Sequence, residues 1–363
     1  MKVLHITESL GAGVGHYVWL VTRGQVAAGH TVVLAHSIRY GTPTDLDERF
    51  NFLAKRVVVP MITEVSVFKD VFSVWSLAAL LRQERPDVLH LHSSKAGVLG
   101  RVAVWLAGGR LRRHTRVIYS PHGFAFLRQD VSVTKQKLFL GFERLAAYLG
   151  GTLVACSATE AELASSQVRH ARVRLVENAT DLSEVRRSTG STNGQLIVLN
   201  AGRVCYQKAP WRFKSVARRC AEMPARFVWL GDGDLAHELK LSKLQLTGWL
   251  NRTQVAEQLA KADIFLMPSL WEGMPLALIE AQAAGIPAVV SNVVGCKDVV
   301  QHGVTGFVCD TDEELCERTK QLINDASLRQ RMGDNAAQMA RTRFAVGRMN
   351  EELLELYMNK DEP

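Results

Sequence analysis

Long apolar runs are missing from this sequence: none reaches the roughly 18 residues that a membrane-spanning helix requires. Met1-Lys-Val-Leu-His-Ile-Thr7 reads as a first strand rather than a secretory leader, so a cytoplasmic chain is expected. Paired cysteines are missing too. Cys156, Cys205, Cys220, Cys296, Cys309 and Cys316 include no Cys-x-x-Cys spacing, which speaks against structural zinc and for a reducing compartment. Acids are nearly absent from residues 101–140, where Arg101, Arg110, Arg112, Arg113, Arg116, Arg128, Lys135 and Lys137 face Asp130 alone. A basic face of this kind suits phospholipid headgroups or a lipid diphosphate, so peripheral contact with an anionic membrane surface, on its cytoplasmic side, is an expected partnership. The same stretch lacks the interleaved aromatics on which single strands stack, and nucleic acid is not expected.

What the sequence does hold is apolar material enough for two cores. With 363 residues and 47% hydrophobic content, two α/β domains are the natural division. Short apolar runs at Val3–Thr7, Thr31–His36, Val57–Val59, Val88–His92, Val117–Ser120, Leu153–Cys156 and Val173–Val176 alternate with helical stretches. That alternation predicts a parallel, doubly wound sheet. A second series begins at Leu196–Asn200 and continues through Phe227–Leu230 and Ile264–Met267. The polar, breaker-rich stretch Asn178 to Gly194 reads as a linker. Domains are therefore expected at 1–185 and 186–343, followed by a terminal helix at 344–363 with Met349, Leu353, Leu354 and Tyr357 at helical spacing.

Certain stretches carry chemistry by their spacing. Ser9-Leu-Gly11-Ala-Gly13-Val-Gly15-His16 lies between the first strand and a helix expected from Tyr17 to Ala27, and its glycines let backbone approach a ligand. It is not the dinucleotide fingerprint, because His16 stands at the last glycine position and no ribose-binding acid follows. Gly202-Arg203 and Lys208 follow the strand Leu196–Asn200 and place a planar fork and a point charge together, a pair suited to a diphosphate. From Met267 the chain runs through Glu272-Gly273-Met274-Pro275-Leu276 into a helix that Pro275 is expected to open and Gly285 to end. Free N–H groups and the positive end of that helix then lie beside Gly273. Two carboxylates accompany them: Glu272 on the loop, and Glu280 among Leu276, Leu278, Ile279 and Ala281, where a charge needs a partner or a task.

Elsewhere, His122 in Pro121-His-Gly123 is expected at a strand's carboxyl end, while His90 and His92 sit on a buried strand. Phe68, Phe72 and Trp75 recur at helical spacing within Val67 to Leu81; core packing is their expected fate and membrane insertion the alternative. Ser157-Ala-Thr-Glu160 and Thr311-Asp-Glu-Glu314 read as capping boxes.

Glu272 and Glu280, set in Pro268-Ser-x-x-Glu-Gly-x-Pro275 and followed by Gly285-Ile-Pro287, resemble the signature of the family 4 retaining glycosyltransferases of GT-B fold, of the kind that build bacterial surface polysaccharides. Asn200-Ala-Gly-Arg203, Leu230-Gly-Asp-Gly233, His302-Gly-Val-Thr-Gly-Phe307 and Pro121-His-Gly123 extend the likeness over nearly the whole chain. The resemblance implies two Rossmann-like domains with a cleft between them, and a terminal helix that crosses back to the N-terminal one. It implies that Arg203 and Lys208 stabilise a departing diphosphate, that Glu280 holds the ribose, and that Glu272 and His122 hold the donor sugar. Gly202, Gly273, Met274, Pro275 and Leu276 would complete the donor site, with Gly13 and Gly15 joining it from the acceptor or phosphate side.

The same resemblance implies transfer of a hexosyl or N-acetylhexosaminyl group from a nucleoside-diphosphate sugar, UDP rather than GDP. The implied acceptor is a polyprenyl-diphosphate-linked glycan. No cofactor and no metal are expected; Asp45-x-Asp47, Asp232-x-Asp234 and Asp310-x-Asp312 are scattered and read as chance matches. Where the family often has a Gly-Gly pair and a Glu, this chain has Gly295-Cys-Lys-Asp298, which bears on the identity of the sugar. A UDP-sugar 2-epimerase of the same architecture and a sugar-nucleotide-binding subunit without catalysis are the alternatives, and the placed carboxylates favour transfer.

Overall fold

The computed structural model describes residues 1–38, 42–61, 66–186, 188–189 and 194–359. Residues 187 and 190–193 of the expected linker, and 360–363 of the expected terminal helix, lie outside the described residues. The chain divides into two compact units, Met1–Glu177 together with Gly347–Pro363, and Asn178–Val346.

The first unit is built on a seven-stranded parallel sheet. Its strands are β1 (Lys2–Thr7), β2 (Thr31–His36), β3 (Lys55–Val58), β4 (Val88–His92), β5 (Arg116–Ser120), β6 (Thr152–Ala155) and β7 (Val173–Leu175). They lie in the order β3-β2-β1-β4-β5-β6-β7, so connections wind outward in both directions from β1 and β4. Crossover helices cover both faces, and the central strands β1 and β4 are accordingly buried apart from Lys2. Leu4, Ile6, Leu89, Leu91 and Leu153 pack with Leu77, Leu81, Ala103 and Tyr119 in one core. The terminal helix Val346–Met358 buries Met349, Leu353 and Tyr357. Arg116 fastens it by donating to the Leu356 carbonyl at 2.6 Å.

Several expectations for this unit change. The helix after β1 spans Ala12–Ala27, five residues earlier than expected, so Gly13 and Gly15 are helical rather than part of a loop. Gly15 is needed for close packing, since a Cβ there would overlap the Leu10 carbonyl, whereas Gly13 faces open space. The stripe on the helix Val67–Glu84 is not core: Phe68 is 91% exposed, Phe72 63% and Trp75 55%. The basic stretch is also divided by the fold. Arg101 is buried over the Tyr119 ring, Arg128 is paired with Asp130 and Arg116 is half-buried, while Arg110, Arg112 and Arg113 are exposed on one short helix and Lys135 and Lys137 on the helix Val133–Ala147.

The second unit carries a six-stranded parallel sheet in the order β10-β9-β8-β11-β12-β13. The strands are β8 (Leu196–Ala201), β9 (Ala225–Leu230), β10 (Leu244–Leu246), β11 (Ile264–Met267), β12 (Ala288–Ser291) and β13 (Gly306–Cys309). Its core joins Val198, Phe213, Phe227, Trp229, Leu266 and Val289. The winding reverses between β8 and β11, the place in an open α/β sheet where the carboxyl ends of two neighbouring strands leave a crevice for a ligand. Residues 178–189, where described, lie against this unit: Ser188 N donates to the Ala284 carbonyl at 2.8 Å and Thr189 N to that of Ala260 at 3.1 Å.

Candidate functional site

The two loops that leave the reversal point of the second sheet are stitched together by side chains. Lys208, on the loop after β8, meets Glu272, on the loop after β11, with Nζ and Oε1 2.7 Å apart and both side chains nearly buried. Gln207 donates from Nε2 to the Trp271 carbonyl at 2.8 Å and to Glu272 Oε2 at 3.3 Å, while its own carbonyl accepts from Leu270 N at 2.8 Å. Burial pulls the Lys208 ammonium down, but the touching Glu272 carboxylate outweighs it and holds the pKa above the ordinary lysine value.

Backbone geometry explains the glycines on these loops. Gly202 has φ 142°, and a Cβ there would lie 3.1 Å from Lys208 Cε, in the path of the lysine. Its carbonyl accepts from Trp229 Nε1 at 2.8 Å, and Gly231, with φ 136°, must lack a side chain because a Cβ would strike that same carbonyl. Gly295, with φ 80°, packs directly on the Gly273–Met274 peptide in the same manner. Arg203 is exposed on the loop that carries Gly202 and Lys208.

The helix past Gly273 runs Leu276–Ala283, with Pro275 at its N-cap rather than inside its first turn. Pro275 cannot donate, and its carbonyl accepts from Leu278 and Ile279 at 3.1 and 3.2 Å. The first N–H groups of the helix, at Leu276 and Ala277, have no intrahelical acceptor by position and lie at its N-terminus, with the positive end of the dipole. Asn178 steadies this turn by donating to the Met274 carbonyl at 2.8 Å. Glu280 is buried and paired with Arg252, Nη1 to Oε1 2.7 Å, and Arg252 reaches Glu184 as well at 3.6 Å. Burial lifts the Glu280 carboxyl above its ordinary range, and the Arg252 guanidinium offsets part of that rise.

Thus Gly202, Arg203, Lys208, Glu272, Gly273, Met274 and Pro275 lie on the two loops that leave the reversal point, Leu276 opens the helix that follows, and Glu280 lies further along that helix, paired with Arg252. Gln207, which holds Glu272, and Arg252, which pairs with Glu280, were not singled out from the sequence. For Arg252 there was a signal, because a glutamate inside an apolar helix demands a cation. For Gln207 there was none.

His122, Gly13 and Gly15 belong to the first unit. His122 follows β5 with φ 56°, a left-handed conformation that costs energy in a residue with a side chain. Glu160 holds this turn: its Oε1 accepts from Gly123 N at 2.7 Å and its Oε2 from Cys156 N at 2.7 Å. The expected capping box at Ser157 is therefore half formed, since Ser157 accepts from Glu160 N while the glutamate is used elsewhere. At Thr311 the hydroxyl likewise accepts from Glu314 N, but Glu314 turns to Asp310 N. His5, His90 and His92 bring ring nitrogens within 4.8 Å of one another, the one such group of possible metal ligands among the described residues.

Comparison with known proteins agrees with this geometry. Residues 11–184 match the family described as Glycosyltransferase Family 4, and residues 181–339 that described as Glycosyl transferases group 1. The chain is 32% identical over 285 residues to the UDP-Gal:alpha-D-GlcNAc-diphosphoundecaprenol alpha-1,3-galactosyltransferase of Escherichia coli, covering 70% of each chain. In fold it is similar to sucrose-phosphate synthase from Thermosynechococcus elongatus, with TM-score 0.83 at 19% identity over 98% of both chains. It is similar also to Anabaena HepE, solved with UDP and glucose, with TM-score 0.78 at 16% identity over 98% and 99%. Two Rossmann-like units of parallel sheet with these neighbours define the GT-B architecture. The chain belongs to the family 4 glycosyltransferases.

Proposed function

We propose that this glycosyltransferase moves a hexosyl or N-acetylhexosaminyl group, with retention of anomeric configuration, from a UDP-sugar to a hydroxyl of a polyprenyl-diphosphate-linked glycan during polysaccharide assembly. The observation that carries the donor reading is the Lys208–Glu272 pair beside Gly273, with buried Glu280 one helical segment away. The E. coli relative, whose name states a UDP-sugar donor and a diphosphoundecaprenol-linked acceptor, supports the substrate class.

In this reading Glu280 accepts from the ribose diol and Arg252 keeps it ionised. The bond between the anomeric carbon and the β-phosphate oxygen breaks, and the electron pair leaves with the nucleoside diphosphate. Arg203, Lys208 and the N–H groups at the start of the helix Leu276–Ala283 neutralise the charge that develops there. Glu272 and His122 orient the sugar. The acceptor oxygen attacks from the face the diphosphate leaves, and its proton passes to the departing phosphate, so no protein nucleophile and no metal are required.

Among the described residues no helix is long and apolar enough to cross a membrane. Contact with the lipid acceptor would come from the surface. Phe68, Phe72 and Trp75 form the exposed apolar stripe, and Arg82 extends their helix toward Leu106, next to the exposed Trp105 and the cations Arg110, Arg112 and Arg113. Aromatics beside exposed cations suit an anionic bilayer. A thermal-shift panel of UDP, GDP, ADP and NAD tests the donor assignment. UDP at about a hundred times its dissociation constant should stabilise the wild type by roughly 2.7 kcal/mol and leave Glu280→Ala unshifted. Stabilisation by NAD alone, or by none of the four, would remove the donor reading.

A further inference from the structure

Three buried histidine rings of the first unit, His5, His90 and His92, have no part in the transfer reaction described above, yet they stand in a hydrogen-bonded series with His122, which does. His5 on β1 and His92 on β4 face each other with Nδ1 and Nε2 2.9 Å apart. The other nitrogen of His92, Nδ1, lies 3.0 Å from Nε2 of His122. At the opposite end, His5 Nε2 lies 2.8 Å from Gln25 Oε1. Gln25 Nε2 then donates to the Tyr357 hydroxyl at 3.2 Å, which lies 2.5 Å from His90 Nδ1, and His90 Nε2 is 2.9 Å from Ser120 Oγ. His5, His90 and His92 are fully buried, and His122 is the end of the series that reaches toward the surface.

Every ring nitrogen of His5, His90 and His92 already has a protein partner, so the trio is occupied by hydrogen bonds in place of a metal. Burial depresses all four rings, His5 to about 4 and His122 to about 3, and keeps them neutral at pH 7. A neutral imidazole has one donor and one acceptor, so a choice made at one end of the series is passed to the other. An amide oxygen can only accept. Gln25 Oε1 therefore requires the proton of His5 on Nε2, which leaves His5 Nδ1 bare; His92 must donate to it from Nε2, and His122 must in turn donate from Nε2 to the bare Nδ1 of His92.

We propose that Gln25, His5 and His92 are positioning residues that lock His122 in its Nε2–H tautomer, so that its Nδ1 is a bare acceptor for a hydroxyl of the donor sugar. The second half of this statement rests on the role given to His122 above; the first half rests on the ring series alone. A bare Nδ1 accepts from a sugar hydroxyl, whereas the opposite tautomer would present an N–H to which that hydroxyl could only be the acceptor.

Long-range proton–nitrogen correlation spectra of the full-length, 15N-labelled protein at pH 7 read the tautomers directly. His5, His92 and His122 should each show a protonated Nε2 and an unprotonated Nδ1. In Gln25→Met the direction is no longer imposed, so the His122 nitrogens should move toward the average of the two tautomers. UDP release with a UDP-hexose and a polyprenyl-diphosphate acceptor should slow in kcat by about fivefold, one hydrogen bond's worth, with UDP affinity unchanged. Protonated Nδ1 on His122 in the wild type overturns the series. So do unchanged His122 shifts in Gln25→Met. If the shifts behave as stated but Gln25→Met and His122→Ala both turn over at the wild-type rate, the series stands and the sugar contact of His122 falls.

Discussion

Acidification should weaken the first unit in a window set by its buried histidines. His5 is buried between β1 and β4, and its folded pKa is depressed from 6.5 to about 4. An unfolded chain with pKa near 6.5 takes up a proton that the folded chain refuses, so the stabilising contribution is complete above that pH and is lost as pH falls toward 4. At pH 5 the loss from one such ring is about 2 kcal/mol, from 1.36 kcal/mol per unit over the roughly 1.5 units between the unfolded pKa and pH 5. His122, depressed to about 3, loses a similar amount. Together that is about 4 kcal/mol, against a typical domain stability of roughly 5–15 kcal/mol. Glu143 and Glu160, lifted by burial in the same unit, act in the opposite direction and blunt the total. A comparison with His5→Gln isolates the histidine. Urea unfolding at pH 7, 6 and 5, followed by hydrogen-exchange mass spectrometry of peptides from β1 and β4, reads the first unit by itself. The wild type should lose about 2 kcal/mol more than the variant between pH 7 and 5. Parallel losses in the two proteins would refute the claim that His5 is held neutral by burial.

Lys208→Met should leave Glu272 buried without its cation, destabilising the second unit by about 3–5 kcal/mol and abolishing turnover; a urea midpoint equal to the wild type's would show that the pair is not a buried one. Arg203→Ala, at an exposed position, should cost no more than about 0.5 kcal/mol of stability yet reduce kcat by a factor of ten or more, and intact turnover would remove its role on the diphosphate. Gly295→Ala would drive a Cβ into the Gly273 carbonyl and deform the turn before the helix Leu276–Ala283, so UDP-induced thermal stabilisation should shrink or vanish in a protein that still unfolds cooperatively. Replacing Phe68, Phe72 and Trp75 together with Ser should leave the melting temperature within a few degrees, because all three are exposed. Cosedimentation with phosphatidylglycerol vesicles should be lost; undiminished cosedimentation would place membrane contact elsewhere.

Local signals in the chain were sufficient for the alternation of strands and helices, for the α/β parallel architecture, and for most of the donor site. Apolar runs, glycines and prolines act over a few residues, so β1, β2, β4, β8 and β11 and the loops after β8 and β11 were legible from their own composition. β10, β12 and β13 were not singled out, being defined by the neighbours that pair with them. The start of the helix Ala12–Ala27 was misplaced because Gly13 and Gly15 resemble a loop, while only the nearby Leu10 carbonyl explains why a glycine sits in a helix. Helical spacing of Phe68, Phe72 and Trp75 says that they share a face, but it does not say which element, if any, covers that face.

The sequence by itself determined which residues could bear the chemistry: Glu272, Glu280, Lys208, Arg203 and His122 are marked by type, spacing and position at strand ends. Tertiary structure alone decided what they do in the absence of substrate. The partners lie far away along the chain, Gln207 being 65 residues from Glu272, Arg252 28 from Glu280, and His5 87 from His92. Polar residues so distant carry no periodicity that links them; only the parallel sheet order, which sets β1 beside β4 and β8 beside β11, brings their atoms within hydrogen-bonding reach.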